Sequence, residues 1–183
     1  MKINSLSIIS LVAVLSTATS ANAGAVADFY AGAMIGAGGY SLFHDDDTKS
    51  DSSMLFGGVI GVDIPVFRIE AEYNYLNSSK LTGNTAMVNA YFKMPSTLIM
   101  PYAGAGIGMV FGAEYEHNDT TKLDFDSAPA YQGMLGVTID MPLLPVKFDV
   151  EGQVLYSPDV YDKNGVDIDL LEYNLRLKAR YIF

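Results

Sequence analysis

The feature that most constrains this chain is a repeated two-residue alternation of apolar and polar side chains. In VFRIEAEYNY, residues 66–75, phenylalanine, isoleucine, alanine and tyrosine alternate with arginine, glutamate and asparagine. A period of two places the two sets on opposite faces of a β-strand. The pattern recurs in eight stretches, each with about the ten residues that a tilted membrane strand needs, or slightly more. These stretches are 29–40, 53–63, 66–76, 85–94, 99–114, 130–140, 146–156 and 170–183.

The connections between these stretches alternate in length. Three are short and contain proline, at 63–66, 94–98 and 141–145. Four are longer and mostly acidic, at 41–52, 77–84, 115–129 and 157–169. Short turns at one end and long loops at the other are typical of an up-and-down outer-membrane barrel, and an even strand number returns the chain to the side where it began. The sequence therefore predicts an all-β fold, an eight-stranded antiparallel up-and-down transmembrane β-barrel.

The first 23 residues predict a cleaved signal peptide. Lys2 precedes an apolar segment from Leu6 to Leu15, and the small-x-small sequence Ala21-Asn22-Ala23 follows. A membrane anchor helix is the alternative, but the apolar segment is too short to span comfortably. Cleavage would leave residues 24–183 as a single barrel domain and change the formal net charge from −10 to −11, because Lys2 is lost.

Composition excludes several classes of function. The chain has no cysteine, so disulfides and thiol chemistry are absent. Its acidic balance argues against nucleic acid, which binds basic surfaces. The longest apolar run after residue 23, at 98–113, contains Pro101 and glycines at 104, 106, 108 and 112, a spacing of two that is a strand pattern. No nucleotide-binding loop, Cys/His cluster or redox motif is present, so we expect no cofactor.

Alternation alone does not distinguish a membrane barrel from a soluble barrel of the lipocalin type, whose interior is apolar. Glycine fills most of the polar faces of the first and fifth strands, which suits a narrow interior better than a solvated exterior. No segment suggests the helix that would cover a lipocalin pocket. Aromatic residues also fall near strand ends, as in the girdles of membrane barrels: Phe29, Tyr73, Tyr75, Tyr115, Tyr131, Tyr156, Tyr181 and Phe183. These features favour the membrane.

The charges on the polar faces nearly balance. The acidic set is Glu70, Glu72, Glu114, Asp140, Asp149, Glu151 and Glu172, and the basic set is Arg68, Lys93, Lys147, Arg176, Lys178 and Arg180. Buried charges must be paired, so we predict a network that fills the lumen and leaves no wide pore. The alternative is a narrow porin-like pathway for ions or small solutes, made by re-pairing the same charges.

Two stretches carry a resemblance to a known family: PYAGAGIGM at 101–109 and KARYIF at 178–183. On these, the chain from residue 24 onwards resembles the small eight-stranded outer-membrane barrels of Gram-negative bacteria, the group that includes the OmpA transmembrane domain, OmpX and opacity-like proteins. A weaker likeness to the YfaZ family lies in YSPD at 156–159. The resemblance implies the cell outer membrane as location, with lipid and lipopolysaccharide as neighbours. It also implies that the barrel-assembly machinery reads a C-terminal signal, here Leu177, Ala179, Tyr181 and Phe183.

The expected role is membrane integrity, or surface interaction and adhesion to a host or environmental ligand through the outer loops. The acidic runs 44–47, 124–126 and 167–169 lack the spacing of a calcium-binding loop, so we expect loose cation bridging to lipopolysaccharide and no dedicated metal site. An outer-leaflet lipid-modifying enzyme is a remote alternative. His44 and His117 are the two histidines, and no strand presents a serine and histidine with an orienting third group, so we expect no enzyme.

Overall fold

The computed structural model describes residues 27–44, 47–79, 81–96, 98–118, 121–124, 127–141, 143–163 and 166–183; within these ranges the side chains of residues 42–44, 47–49, 114–118, 121–124, 159–163 and 166–168 are not described. The chain forms β-strands throughout these ranges: β1 (Asp28–His44), β2 (Asp47–Asp63), β3 (Phe67–Ser78), β4 (Leu81–Lys93), β5 (Ile99–Asn118), β6 (Thr121–Asp124), β7 (Ala128–Asp140), β8 (Val146–Lys163) and β9 (Val166–Ile182). Across the described residues, no helix has the length and apolarity to cross a membrane.

Eight of these strands close into an antiparallel barrel. Each pairs with its neighbours in chain order, β4 pairs with β5, and β5 pairs with β7. The barrel closes because β1 pairs with β9 over fourteen register positions, from Tyr30 opposite Ile182 to Phe43 opposite Asp169. Closure gives every long strand two partners, which satisfies the backbone hydrogen bonds that hydrocarbon could not. The predicted fold class is confirmed.

The strands are longer than predicted at one end of the barrel. β1 and β2 pair up to His44 and Asp47, and β8 and β9 pair up to Lys163 and Val166. The predicted long loops are therefore mostly two-stranded hairpins, and β6 pairs with the end of β5 in the third of them. We call this end the hairpin end. The opposite end, where short segments join β2 to β3, β4 to β5 and β7 to β8, is the short-turn end.

A bulge interrupts the ladder between β4 and β5 near the hairpin end. The register shifts between Thr82 and Asn84, opposite Gly112. Gly112 has a φ of 58°, a left-handed conformation that glycine adopts without steric cost. Bulges of this kind add one residue to one strand and bend it.

Burial follows the predicted alternation. On β3 every second residue from Arg68 to Leu76 is buried, and the residues between them are exposed. The exposed set is apolar and covers the outer wall, with Phe67, Ile69 and Tyr73 on this strand. The buried set points into the lumen, so the polar and charged side chains lie inside the barrel.

Candidate functional site

The centre of the lumen holds a cluster of shared ion pairs around Arg176. Its Nη1 lies 2.7 Å from Oε1 of Glu72, and its Nε lies 2.9 Å from Oε1 of Glu151. Lys178 is the second cation, with its Nζ 2.8 Å from Glu70, 3.2 Å from Glu151 and 3.6 Å from Glu72. All five side chains have no solvent exposure. Each cation contacts more than one carboxylate, so the cluster behaves as one network and not as separate pairs.

A second ionic layer lies towards the short-turn end. Arg180 binds Asp149 with two nitrogens, at 2.6 Å from Nε and 2.9 Å from Nη2, and its Nη1 lies 3.3 Å from Asp63. Lys93 is hydrogen-bonded to Asp63, and Lys147 lies 3.9 Å from the same carboxylate. The contact of two Arg180 nitrogens with the one Asp149 carboxylate is both strong and directional.

Asp63 was absent from the predicted network. Asp63 is both the last residue of the predicted stretch 53–63 and the first of the connection at 63–66, and the structure makes it the last residue of β2 and buries it. Asp63 lies four and eight residues after Val59 and Leu55, so the period of two puts all three on the lumen face of β2. This spacing is the sequence signal that could have identified it.

Tyrosines fill the space between the charges and explain many of the lumen glycines. The guanidinium of Arg68 lies between the rings of Tyr91 and Tyr102, at 3.9 and 4.6 Å from their centroids. A Cβ on Gly104 would lie 2.4 Å from the Tyr91 ring, and one on Gly136 would lie 2.6 Å from the Tyr102 ring. The glycines therefore leave room for aromatic side chains from neighbouring strands, as expected for a narrow interior.

The tyrosine hydroxyls also donate hydrogen bonds to the carboxylates of the central cluster. Tyr30 donates to Glu70 at 2.6 Å, and Tyr91 donates to the other oxygen of the same group at 3.0 Å. Tyr102 donates to Glu151 at 3.0 Å. These additional hydrogen bonds offset part of the cost of burying the charges.

A row of amide side chains lies above the central cluster, on the side of the hairpin end. Gln132 donates to Asn89 at 2.6 Å, Gln153 donates to Gln132 at 2.5 Å, and Asn174 donates to Gln153 at 3.2 Å. Asn174 also donates to Glu172. Glu172 is buried, and no described cation lies within ion-pair distance of it, so it interacts with Arg176 of the central cluster over a longer distance.

An apolar layer closes the lumen nearer the hairpin end. Its buried members come from seven strands of the sheet and form one contact cluster: Tyr40, Leu76, Leu81, Met87, Val110, Ala113, Ala128, Ala130, Leu155 and Leu170. Polar–apolar alternation does not predict this layer. The signal was that both faces of several strands turn apolar towards the hairpin end, for example at Leu155 and Leu170.

The other predicted residues lie at the edges of this arrangement. Asp140 and Lys147 form an ion pair at 3.2 Å on the rim of the short-turn end, where both are partly exposed. The Glu114 side chain lies outside the described residues, as do those of His44 and His117 and most of the acidic runs. Among the described residues, no group of three or more His, Cys, Asp or Glu is arranged to hold a metal ion.

The predicted C-terminal signal lies on the outer wall. Leu177, Tyr181 and Phe183 are about half exposed, and Ala179 is exposed with them. The rings of Tyr181 and Phe183 meet edge to face at 5.4 Å. The Phe183 amide donates to the Phe29 carbonyl at 2.9 Å, which ties the end of the chain to β1.

The family model for the outer membrane protein beta-barrel domain matches residues 7–142, more than half of the chain. The chain belongs to this family. In barrels of this kind the short turns generally face the periplasm and the longer connections face the cell surface. No curated protein matches the chain.

Solved structures with the same fold share little sequence with it. Neisserial surface protein A (NspA) is 16% identical with a TM-score of 0.64, over 85% of this chain and 97% of that one. The N-terminal barrel of Pseudomonas aeruginosa OprF is 13% identical with a TM-score of 0.50, over 82% and 97%. The attachment invasion locus protein Ail of Yersinia pestis, in complex with the heparin analogue sucrose octasulfate, is 11% identical with a TM-score of 0.50, over 84% and 99%.

Proposed function

We propose that this outer-membrane protein is a closed barrel that conducts neither ions nor solutes and acts through its cell-surface hairpins. The observation that carries the proposal is the succession of layers in the lumen. Two ionic layers, an amide row and an apolar layer fill it in turn. An ion would have to break buried ion pairs and then cross a layer made almost wholly of hydrocarbon side chains, and each step is costly.

Single-channel recording in planar bilayers tests the closed lumen. We expect no conductance steps from the native chain. The double variant Arg176→Ala/Leu155→Ala removes one side chain from the central cluster and one from the apolar layer, and we expect it to conduct. The matched control, Leu175→Ala/Val154→Ala, truncates the adjacent residues on the same two strands, but these lie on the outer wall and the lumen is unchanged.

A narrow channel remains the second candidate, and one observation favours it. Each of the carboxylates of Glu70, Glu72 and Glu151 binds a cation and at least one neutral donor, a tyrosine at Glu70 and Glu151 and an asparagine at Glu72. Partners can therefore exchange without leaving a charge alone. Regular conductance steps from the native chain, absent when Glu151→Gln is introduced, would establish this reading and refute the closed lumen.

The chemistry of a surface partner follows from charge. The four outer connections contain twelve carboxylates and four lysines. The Ail structure contains a polyanionic heparin analogue, and this acidic surface would repel such a ligand. We therefore assign cationic partners to this chain, either basic polypeptides or divalent cations that bridge to lipopolysaccharide phosphates. Immobilised barrel should bind polylysine and not heparin, with binding lost at high salt; heparin binding would overturn the assignment.

The same proposal excludes catalysis. The family description and the names of the compared structures mention no reaction. Two serine hydroxyls of the second outer connection are engaged in hydrogen bonds: Ser78 donates to the Ser52 carbonyl at 2.7 Å, and Ser79 donates to Asp51 at 2.8 Å. Unchanged lipid A composition in cells with and without a His44→Ala/His117→Ala variant supports a role without catalysis, and a difference in acylation refutes it.

Two further parts of the proposal concern biogenesis. Residues 1–23 are removed on export, so the protein purified from membranes should begin at Gly24; mass spectrometry decides this. The C-terminal residues act as an assembly signal, supported by the exposure of Phe183 on the outer wall and not in the lumen. Phe183→Ser should lower the amount of barrel in cell membranes but leave refolding into detergent unchanged. Equal losses in both would assign Phe183 a packing role alone.

A further inference from the structure

The outer wall carries a depression of about 750 Å³ that the closed lumen and the hairpins do not account for. It crosses β1, β9, β8, β7 and β5, and Gly133 and Gly152 form its floor. Both glycines are exposed on the face that contacts lipid. Leu135, Leu175, Val154 and Tyr173 form its sides, with exposed fractions from 49% to 70%.

The two floor glycines are not required by packing. A Cβ added at Gly133 would meet no atom within 4 Å, and one added at Gly152 would meet only the Leu135 carbonyl oxygen at 3.8 Å. The lumen glycines differ, since a Cβ on Gly38 would lie 1.9 Å from the Tyr173 carbonyl oxygen. The barrel would therefore tolerate side chains at the two floor positions, and their absence leaves an open groove at the surface.

The depth of the groove places it in the outer half of the membrane. Tyr131, two residues beyond Gly133 on β7, and Tyr156, four residues beyond Gly152 on β8, are exposed on the outer wall towards the hairpin end. Aromatic residues of this kind mark the interface of a membrane barrel. The groove begins directly below them and continues into the hydrocarbon region.

We propose that this groove binds one fatty acyl chain of an outer-leaflet lipid as a defined site. None of its thirteen lining residues is charged, and its two amide side chains, Gln153 and Asn174, are buried in the amide row of the lumen, so the face open to the membrane suits hydrocarbon. A second copy of the chain fits less well, because a stable protein interface engages about 20–30 residues on each side. Within hydrocarbon the attraction comes from packing against the open backbone and not from a hydrophobic effect.

The absence of tryptophan from the chain allows a direct test. Leu135→Trp places one fluorophore on the side of the groove, and Val88→Trp places one on the lipid-facing side of β4, away from the groove. Each position lies four residues before the last lipid-facing residue of its strand, so the two are matched in depth. Each is refolded into phosphatidylcholine vesicles containing a small fraction of phosphatidylcholine with brominated chains. We expect quenching about threefold stronger at Leu135→Trp, the factor that a handful of new carbon–carbon contacts contributes.

Filling the groove supplies the decisive comparison. Gly133→Leu/Gly152→Leu added to Leu135→Trp should reduce its quenching to that of Val88→Trp. Gly58→Leu is the matched control: it is an exposed glycine on β2 whose Cβ would meet only the Gly32 carbonyl oxygen at 3.7 Å, and it should change nothing. Equal quenching at the two tryptophans overturns the proposal, even if the filled variant fails to fold. A dimer in sedimentation that the filling removes would assign the groove to a second copy and also overturn it.

Discussion

Replacing Arg176 by methionine tests whether the lumen is dry and its ion pairs buried. The guanidinium has no solvent exposure and is bonded to both Glu72 and Glu151. Without it, the three carboxylates of the central cluster share one cation of that cluster, Lys178. Breaking a buried pair by removing one partner costs about 3–5 kcal/mol, because the other charge stays buried without compensation. The folding equilibrium should therefore shift by two to nearly four powers of ten.

The free energy of unfolding is measured by urea titration in phospholipid vesicles, with tyrosine fluorescence and the migration of unboiled samples on gels as two readouts. Adding Glu151→Gln to Arg176→Met should recover part of the loss, because it removes one of the uncompensated charges. Leu175→Met, the adjacent residue on the outer wall, serves as the control and should cost less than about 1.5 kcal/mol. A loss below about 1 kcal/mol for Arg176→Met, with no recovery in the double variant, would show that water screens the cluster and would refute the reasoning.

Four further substitutions separate the lumen from the outer wall. Leu177→Arg places a charge on the lipid face and should cost about 2–4 kcal/mol in the same titration; a neutral result would mean that this face is not in hydrocarbon. Lys178→Gln should cost about 3 kcal/mol or more, because its ammonium lies within 3.6 Å of three buried carboxylates, and unchanged stability would contradict this geometry. Gly38→Ala should cost about 1–3 kcal/mol through overpacking against β9, whereas Gly133→Ala should be nearly neutral. Equal effects of the two substitutions on thermal unfolding would contradict the difference in free space around these glycines.

The Lys178 prediction revises what its sequence context suggests. Read from the alternation alone, Lys178 is one polar residue among several on a lumen face, and Lys178→Gln would be tolerated or would only change conductance. The structure places three carboxylates around it, two from β3 and one from β8. Sequence parity shows on which side of the wall a residue lies, but not how many charges from other strands reach it.

Asp63 and the apolar layer show where the sequence reasoning stopped. Asp63 ends the predicted stretch 53–63 and begins the connection at 63–66, and the predicted charge network omits it, although its parity on β2 points it into the lumen beside Lys93 and Arg180. The apolar layer was missed because the alternation of polar and apolar residues was used as the test for the two faces. Where both faces are apolar, as around Leu155, that test gives no result.

The sequence by itself determined the number of barrel strands, their order and the face on which each charge lies, because a period of two is a local property of the chain. The tertiary structure alone decided which charges meet. Glu72 and Arg176 are 104 residues apart and lie on strands separated around the barrel by β1 and β2, and their contact across the lumen depends on how far the strands are staggered when the sheet closes. The groove depends on closure in the same way, since its two floor glycines lie on different strands and become neighbours only through the register of β7 and β8.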